Sequence, residues 1–516
     1  MSQAETTNET QRGASLTARA SWLLVAKCLS FAFSFALPLL LVRRLSQAEY
    51  GLYKQVFLVV GTALGLLPLG FGLSTYYFLP RAESREERAR VVFNVLLFNL
   101  CAGGLGALAL VLFPGLLGAV FNEPELRALS PLIGAVVLFW VFAAFLETVA
   151  VANQETYLAT LFIIGANLTK AGSMLAAAVA FGTVRSLVYA ALVHSVVQTV
   201  VLLAYLARRF PVFWRGWDWP KMREQLSYAL PFGAAGLLFI AQTDLHSYFV
   251  SHQFGPSAFA VYAIGCFDLP LIGILAESVT SVMIPRVSLL QKQGARREIL
   301  LLTTRVIRKL AFVYFPIYAF LMVAGREFIA LLFTERYLES WPVFAVNLTI
   351  VPVAAIMFDP IVRAYAAERY FLLRLRIMLS ALMLAVFWFW TARLGLIGMI
   401  AVVVAVGLVE RLAISYRAAK VVGFTARDFP LLADVGKLAL AAALAAGGAA
   451  VTRAAVLGMR PFWVLAACGS AFVLVYGAAV LLLGVPSADE RDSARRLLAP
   501  WRRRVQRDGA AAGAGL

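Results

Sequence analysis

Fourteen apolar stretches of about twenty residues each run through the 516-residue chain, near 22–41, 56–79, 91–113, 131–151, 157–181, 184–206, 226–249, 258–282, 306–325, 342–361, 371–392, 395–416, 432–452 and 462–484. An α-helix rises about 1.5 Å per residue, so roughly twenty residues cross the ~30 Å hydrocarbon core of a bilayer. Hydrophobic residues make up 61% of the chain and charged residues 14%, with a mean hydropathy of +0.82. A water-soluble domain could not cover so much apolar surface. The expected fold is an all-α integral membrane protein of about 14 transmembrane helices.

The charge balance fixes an expected orientation. Lys and Arg number 46 against 28 Asp and Glu, a formal net charge of +18. Such an excess suggests nucleic acid in a soluble protein, but here it collects in alternate loops, as the positive-inside rule requires. Starting inside assigns about 34 of the 46 basic residues to cytoplasmic segments, about 10 to the exterior side and two, Lys27 and Lys170, to membrane interiors. The densest basic runs are RAESREERAR after Pro80, ARRFPVFWRGWDWPKMREQ after Leu206, PRVSLLQKQGARRE after Ile284 and the tail RDSARRLLAPWRRRVQRD. Both termini are expected in the cytoplasm, with membrane lipid and no nucleic acid as a partner.

Residues 38–81 join two of these spans through a short polar turn, and a fainter copy follows at 254–286. Leu45, Ala48, Tyr50, Gly51 and Tyr53 fall opposite Phe254, Ser257, Phe259, Ala260 and Tyr262, and Pro80-Arg81 opposite Pro285-Arg286. Six spans separate the copies, an even number, so both enter the membrane the same way up, as parallel repeats with a cavity between them. The expected organisation is an N-lobe at 1–206, an interfacial linker at 207–225, a C-lobe at 226–425, two further spans within 426–484 and a basic tail at 485–516.

Catalytic and metal signatures are missing. The sequence has no GxxxxGK[ST] loop, no HExxH and no Cys/His metal spacing; its histidines are His194, His246 and His252. The cysteines, at 28, 101, 266 and 468, all lie in apolar runs and act there as small hydrophobic residues. The longest exterior loop, 114–130, has no room for a folded catalytic domain. No enzyme activity, cofactor or metal site is expected.

Ionisable groups at membrane depth are costly and point to pairing or to function. Lys170 lies mid-span, with Asn167 and Ser173 about one turn away, and Lys27 lies in the first span. These four form the candidate anion-binding set. Asp268, which precedes Pro270 near the middle of the eighth span, is the leading candidate for exchanging a coupling ion, followed by Glu277 and Glu147. Asp244 and His194 are weaker candidates, and Asp359 with Arg363 reads as a local i, i+4 ion pair.

Leu45-Ser46, Tyr50-Gly51 and Tyr53, followed by Leu69-Gly70-Phe71-Gly72-Leu73, resemble the start of the Wzx-type polysaccharide flippases of the MOP superfamily. The resemblance implies a secondary transporter that flips undecaprenyl-diphosphate-linked oligosaccharide from the cytoplasmic to the periplasmic leaflet, for O-antigen, capsule or exopolysaccharide. It also implies an inner-membrane location, a proton or sodium gradient as energy source and polysaccharide-assembly proteins as partners. A MATE-type multidrug or cation exporter is one alternative, set against by Lys27 as the sole charge of the first span. A membrane polysaccharide polymerase or ligase is another, set against by scattered rather than clustered polar groups. A lipid II flippase would carry arginines along its first two spans, and the second span, read as 56–79, has no charge.

Overall fold

The computed structural model describes residues 32–33, 35–365 and 368–486, and every regular element among them is helical. The first expected span lies mostly outside the described residues, which show its end as α1 (35–44). In α2 (Gln47–Leu66) the Ser46 hydroxyl accepts the Glu49 N–H and so caps the helix. The chain breaks at Pro68, with Leu69 and Gly70 at φ 47° and 67°, and resumes through a 3-10 turn into α3 (Ser74–Phe78), a bend of 45°. Next come α4 (Arg85–Leu112), α5 (Gly115–Phe121), α6 (Pro124–Ala143), α7 (Phe145–Ala152), α8 (Thr156–Ala180) and α9 (Val184–Arg209). Ser84 and Thr183 cap α4 and α9 in the same way.

The second half contains α10 (Trp219–Gly265), α11 (Pro270–Lys292), α12 (Arg296–Phe333), the short α13 (Trp341–Leu348), α14 (Ile350–Ala354) and α15 (Asp359–Ala364), then α16 (Arg369–Val422), α17 (Ala433–Ala455) and α18 (Pro461–Leu482). As straight rods α10 and α16 would be roughly 70 and 80 Å long, more than twice a bilayer core. Each is divided by a glycine that alone tolerates its backbone: Gly255 at φ 75°, ψ 177° and Gly395 at φ 61°, ψ −176°. Ten helices among the described residues are long and apolar enough to cross a membrane, or eleven if the bent pair after Gln47 is one span. Dividing α10 and α16 at their glycines, and taking 258–282 and 342–361 as broken spans, puts every expected stretch from 56 onward on mainly helical backbone.

Contacts divide the chain into two units. The first holds residues up to Phe267 with Leu332–Phe344 and Arg376–Val403. Phe71, Val91, Val95, Phe145, Val149 and Leu202 form an apolar core at one end of its helices. A polar chain lies beside that core: Arg88 donates to Asn153 Oδ1, Asn153 Nδ2 to the Tyr205 hydroxyl at 3.1 Å and that hydroxyl to Glu155 Oε2 at 2.7 Å, while Arg209 pairs with Glu155 at 2.9 Å. The segment expected to be an interfacial linker packs on α4, where Asp218 caps α10 and pairs with Arg90 at 3.4 Å, and Gln225 accepts from Asn94 at 3.0 Å. Also in this unit, α2 and the first part of α10 run antiparallel in close contact, from Gly51 against Pro256 to Leu69 against Gly233.

The second unit holds Asp268–Leu331, Ala345–Leu375 and the chain from Val404 onward. Three ion pairs tie α12 to the segment that leads into and along α17: Arg297–Asp428 at 2.5 Å, Arg308–Asp434 at 3.7 Å and Arg453–Glu327 at 2.7 Å. Residue numbers rise together in the three pairs, so these helices run parallel, and α18 returns along α17.

Candidate functional site

In the first unit α2, α6, α8 and α9 pack together. The Glu49 carboxylate accepts the Val184 N–H at 2.6 Å, joining the start of α2 to the start of α9, and a short turn joins α9 to the end of α8. These three helix ends therefore lie at one level. Measured from them, Lys54 is about 10 Å down α2, and Lys170 and His194 are about 15 Å down α8 and α9. Three nitrogen-bearing side chains thus converge at similar depth within a ~30 Å core.

Their surroundings are aromatic rather than acidic. Lys170 Nζ lies 5.1 Å from the Trp140 ring centroid and Lys54 Nζ 5.6 Å from that of Tyr50. Trp140 meets His194 edge-on at 5.2 Å and Phe57 at 6.2 Å, and Phe57 meets Tyr53 at 4.7 Å. Lys54 and Lys170 are close enough to repel each other, and Lys170 also acts on His194. Neither lysine has a carboxylate partner among the described residues. A ring face offers a cation on the order of 0.5–2 kcal/mol, less than two desolvated like charges cost.

His194 is held in place. Thr169 directs its hydroxyl to the Gly165 carbonyl at 2.9 Å, and its oxygen accepts from Gln198 Nε2 at 3.3 Å and faces His194 Nδ1 at 3.0 Å. The bond at Nδ1 fixes the orientation of the ring.

The remaining expected site residues are spread out. Asn167 Nδ2 donates to the Ile163 carbonyl at 2.8 Å, and the Ser173 hydroxyl lies 3.2 Å from the Lys170 carbonyl and 3.3 Å from that of Ala190, so both are engaged by backbone. Lys27 lies outside the described residues. Asp268 sits in the non-helical break between α10 and α11 rather than within a continuous helix, because Pro270 begins a new helix there. Glu147 on α7 and Glu277 on α11 are exposed, and Asp244 on α10 is half-buried. Asp359 and Arg363 form the expected i, i+4 pair at 2.5 Å. No cluster of metal-binding side chains occurs among the described residues.

Lys54 is the residue that sequence reasoning missed. The second span, expected to begin at 56 and to be uncharged, begins at Gln47 and contains it. The signal was Ser46-Gln47-Ala48-Glu49, the S-x-x-E pattern of a helix start.

Residues 40–342, more than half of the chain, match the family described as polysaccharide biosynthesis protein. No curated protein matches significantly. Among solved structures, the lipid II flippase MurJ in an inward closed conformation is similar at a TM-score of 0.68 and 14% identity, over 88% of this chain and 98% of that one. An inward-facing multidrug resistance MATE transporter of the MOP superfamily is similar at 0.59 and 15%, over 77% and 96%. A MOP superfamily transporter from Pyrococcus furiosus, described as having a binding pocket of reversed polarity, is similar at 0.53 and 15%, over 79% and 95%. The chain is a multi-pass membrane protein of the polysaccharide biosynthesis family with the fold of the MOP-superfamily flippases and transporters.

Proposed function

We propose that this protein flips undecaprenyl-diphosphate-linked oligosaccharide from the cytoplasmic to the periplasmic leaflet of the inner membrane for surface polysaccharide assembly, with both termini cytoplasmic. The observation that carries the reading is the pair Lys54 and Lys170, two cations at similar depth with no acidic partner among the described residues. A pyrophosphate offsets both charges at once, and the prenyl chain stays in lipid. A cationic drug would meet repulsion from the same pair, which disfavours an exporter of cations. The six-span repeat supports alternating access, with lobes at 1–206 and 226–425 moving about the bound substrate. Asp268, in irregular backbone at membrane depth, is the position for a coupling proton or sodium ion.

Complementation of a flippase-deficient strain tests the reading. Lys170→Arg should keep much of the transport and Lys170→Ala lose most of it at equal membrane levels. Lys170→Ala should also weaken binding of the lipid-linked sugar more than binding of an uncharged lipid. Full complementation by Lys170→Ala at normal expression overturns the assignment.

A further inference from the structure

A cavity of about 350 Å³ opens in the second unit between α12, α17 and α18. Phe312, Leu438, Val480 and Val485 form its walls, with Arg308 and Lys309 at its edge. All three helices pass from polar to apolar sequence at this point. On α12, Arg308-Lys309 gives way to Leu310 and a long apolar run; on α17, Asp434 and Lys437 precede Leu438; α18 ends at Leu482, just before Val485-Pro486. A shared boundary on three packed helices marks the level where hydrocarbon meets lipid headgroups.

Basic side chains outnumber acidic ones at the mouth among the described residues. Arg308 donates to the Val485 carbonyl at 3.0 Å and lies 3.7 Å from Asp434, which also pairs with Lys437 at 3.1 Å. Lys309 is exposed and has no acidic partner among the described residues. Among the described residues, Lys309 thus stands as a further cation beside the Arg308–Asp434–Lys437 group. An apolar slot with a cationic rim matches an amphiphile that carries an acyl chain below a negatively charged headgroup.

We propose that this cavity seats one anionic phospholipid, its acyl chain against Phe312, Leu438 and Val480 and its phosphate at Lys309 and Arg308, where it holds the α17–α18 pair onto α12. The site is separate from the lysine pair of the first unit, and its test needs no transport measurement.

The full chain, purified in mild detergent, is melted while short-chain phosphatidylglycerol, phosphatidylcholine or inorganic phosphate is added, and lipids retained through purification are identified by mass spectrometry. Phosphatidylglycerol should copurify and raise the melting temperature; phosphatidylcholine and inorganic phosphate should raise it far less. Lys309→Gln should raise the half-saturating phosphatidylglycerol concentration roughly fivefold, the effect of one basic side chain at a membrane surface. Lys309→Arg should restore it, and Val480→Phe should block the slot and abolish the response. Lys309 is exposed, so its substitution leaves packing intact and keeps the test valid even where Val480→Phe fails to fold. Equal stabilisation by phosphatidylcholine, an unchanged response in Lys309→Gln, or a polyprenyl phosphate as the retained lipid overturns the proposal.

Discussion

Gln55 Nε2 donates to Ser251 Oγ at 2.6 Å across the seam between α2 and α10, while the side-chain carbonyl oxygen of Gln55, Oε1, is buried with no partner among the described residues. An unsatisfied buried carbonyl costs about 1–3 kcal/mol, comparable to the gain from the bond itself. The Tyr248 hydroxyl also donates across the seam, to Thr62 Oγ1 at 2.7 Å, so polar bonding and packing close it together. One turn away, a Cβ on Gly51 would lie 1.9 Å from the Pro256 carbonyl oxygen, so any side chain forces the helices apart. Gly51→Val should abolish transport while the protein still reaches the membrane. A short bifunctional thiol reagent joining Gln55→Cys to Ser251→Cys, with the native cysteines replaced, should also stop transport. Transport by the cross-linked protein would show that the seam need not open.

Orientation can be checked in the same cysteine-free background. Cysteine at Ser46 or Ser257 should react with an impermeant thiol reagent added outside, and cysteine at Ser84 or Gln293 should not. All four positions are exposed. Ser46 and Ser84 are helix caps, so their replacement costs about 1 kcal/mol and leaves folding intact. Reversed labelling would overturn the inference drawn from the basic loops.

What the sequence made legible was whatever hydropathy reports. Long apolar runs, basic loops and Lys170 in mid-span all stand out because each violates or satisfies the cost of placing charge in lipid. The glycine breaks at 255 and 395 were less visible, since a positive φ leaves hydropathy unchanged. Lys54 was hidden for a different reason. Its neighbours Glu49, Tyr50 and Tyr53 make the start of α2 look like a polar loop, although Ser46 and Glu49 mark a helix start, and it is packing against α10 and α6 that buries the stretch. Convergence of Lys54, Lys170 and His194 depends on which helices pack together, and no local pattern encodes it.

Asp268 gives a third prediction. It lies between Gly265 and Pro270 where the helix is interrupted, the backbone form that lines ion sites in transporters with broken helices. Asp268→Asn should remove the dependence of transport on the ion gradient while substrate binding persists. Collapsing the proton and sodium gradients separately in reconstituted vesicles identifies the ion. Unchanged dependence in the variant assigns Asp268 to structure alone.

The α17–α18 pair offers a test of stability. Arg453 places Nε and Nη2 at 2.9 and 2.7 Å from Glu327 Oε1, and Glu327 Oε2 is buried without a partner among the described residues. Arg453→Met leaves that carboxylate uncompensated and should destabilise the unit by about 3 kcal/mol, read as a lower melting temperature in detergent. Adding Glu327→Leu should recover most of the loss. A double variant no better than Arg453→Met would mean that the arginine acts through packing.

Lys54 and Lys170 make the sharpest prediction, because stability and binding should move in opposite directions. Two like charges confined together raise the energy of the empty protein, by on the order of 1 kcal/mol at the effective dielectric of such sites. Each also pays for leaving water. Lys54→Met and Lys170→Met keep much of the side-chain volume and remove the charge, so each should raise the melting temperature of the substrate-free protein. Each should also weaken binding of a pyrophosphate-linked lipid, since one cation is lost from the pair that faces it. The double variant should gain less stability than the two single gains added together, because the mutual repulsion can be removed only once. A lysine serving a structural role would instead lose stability on substitution. A fall in melting temperature for both single variants would therefore rule out the strained cationic pair as the binding site.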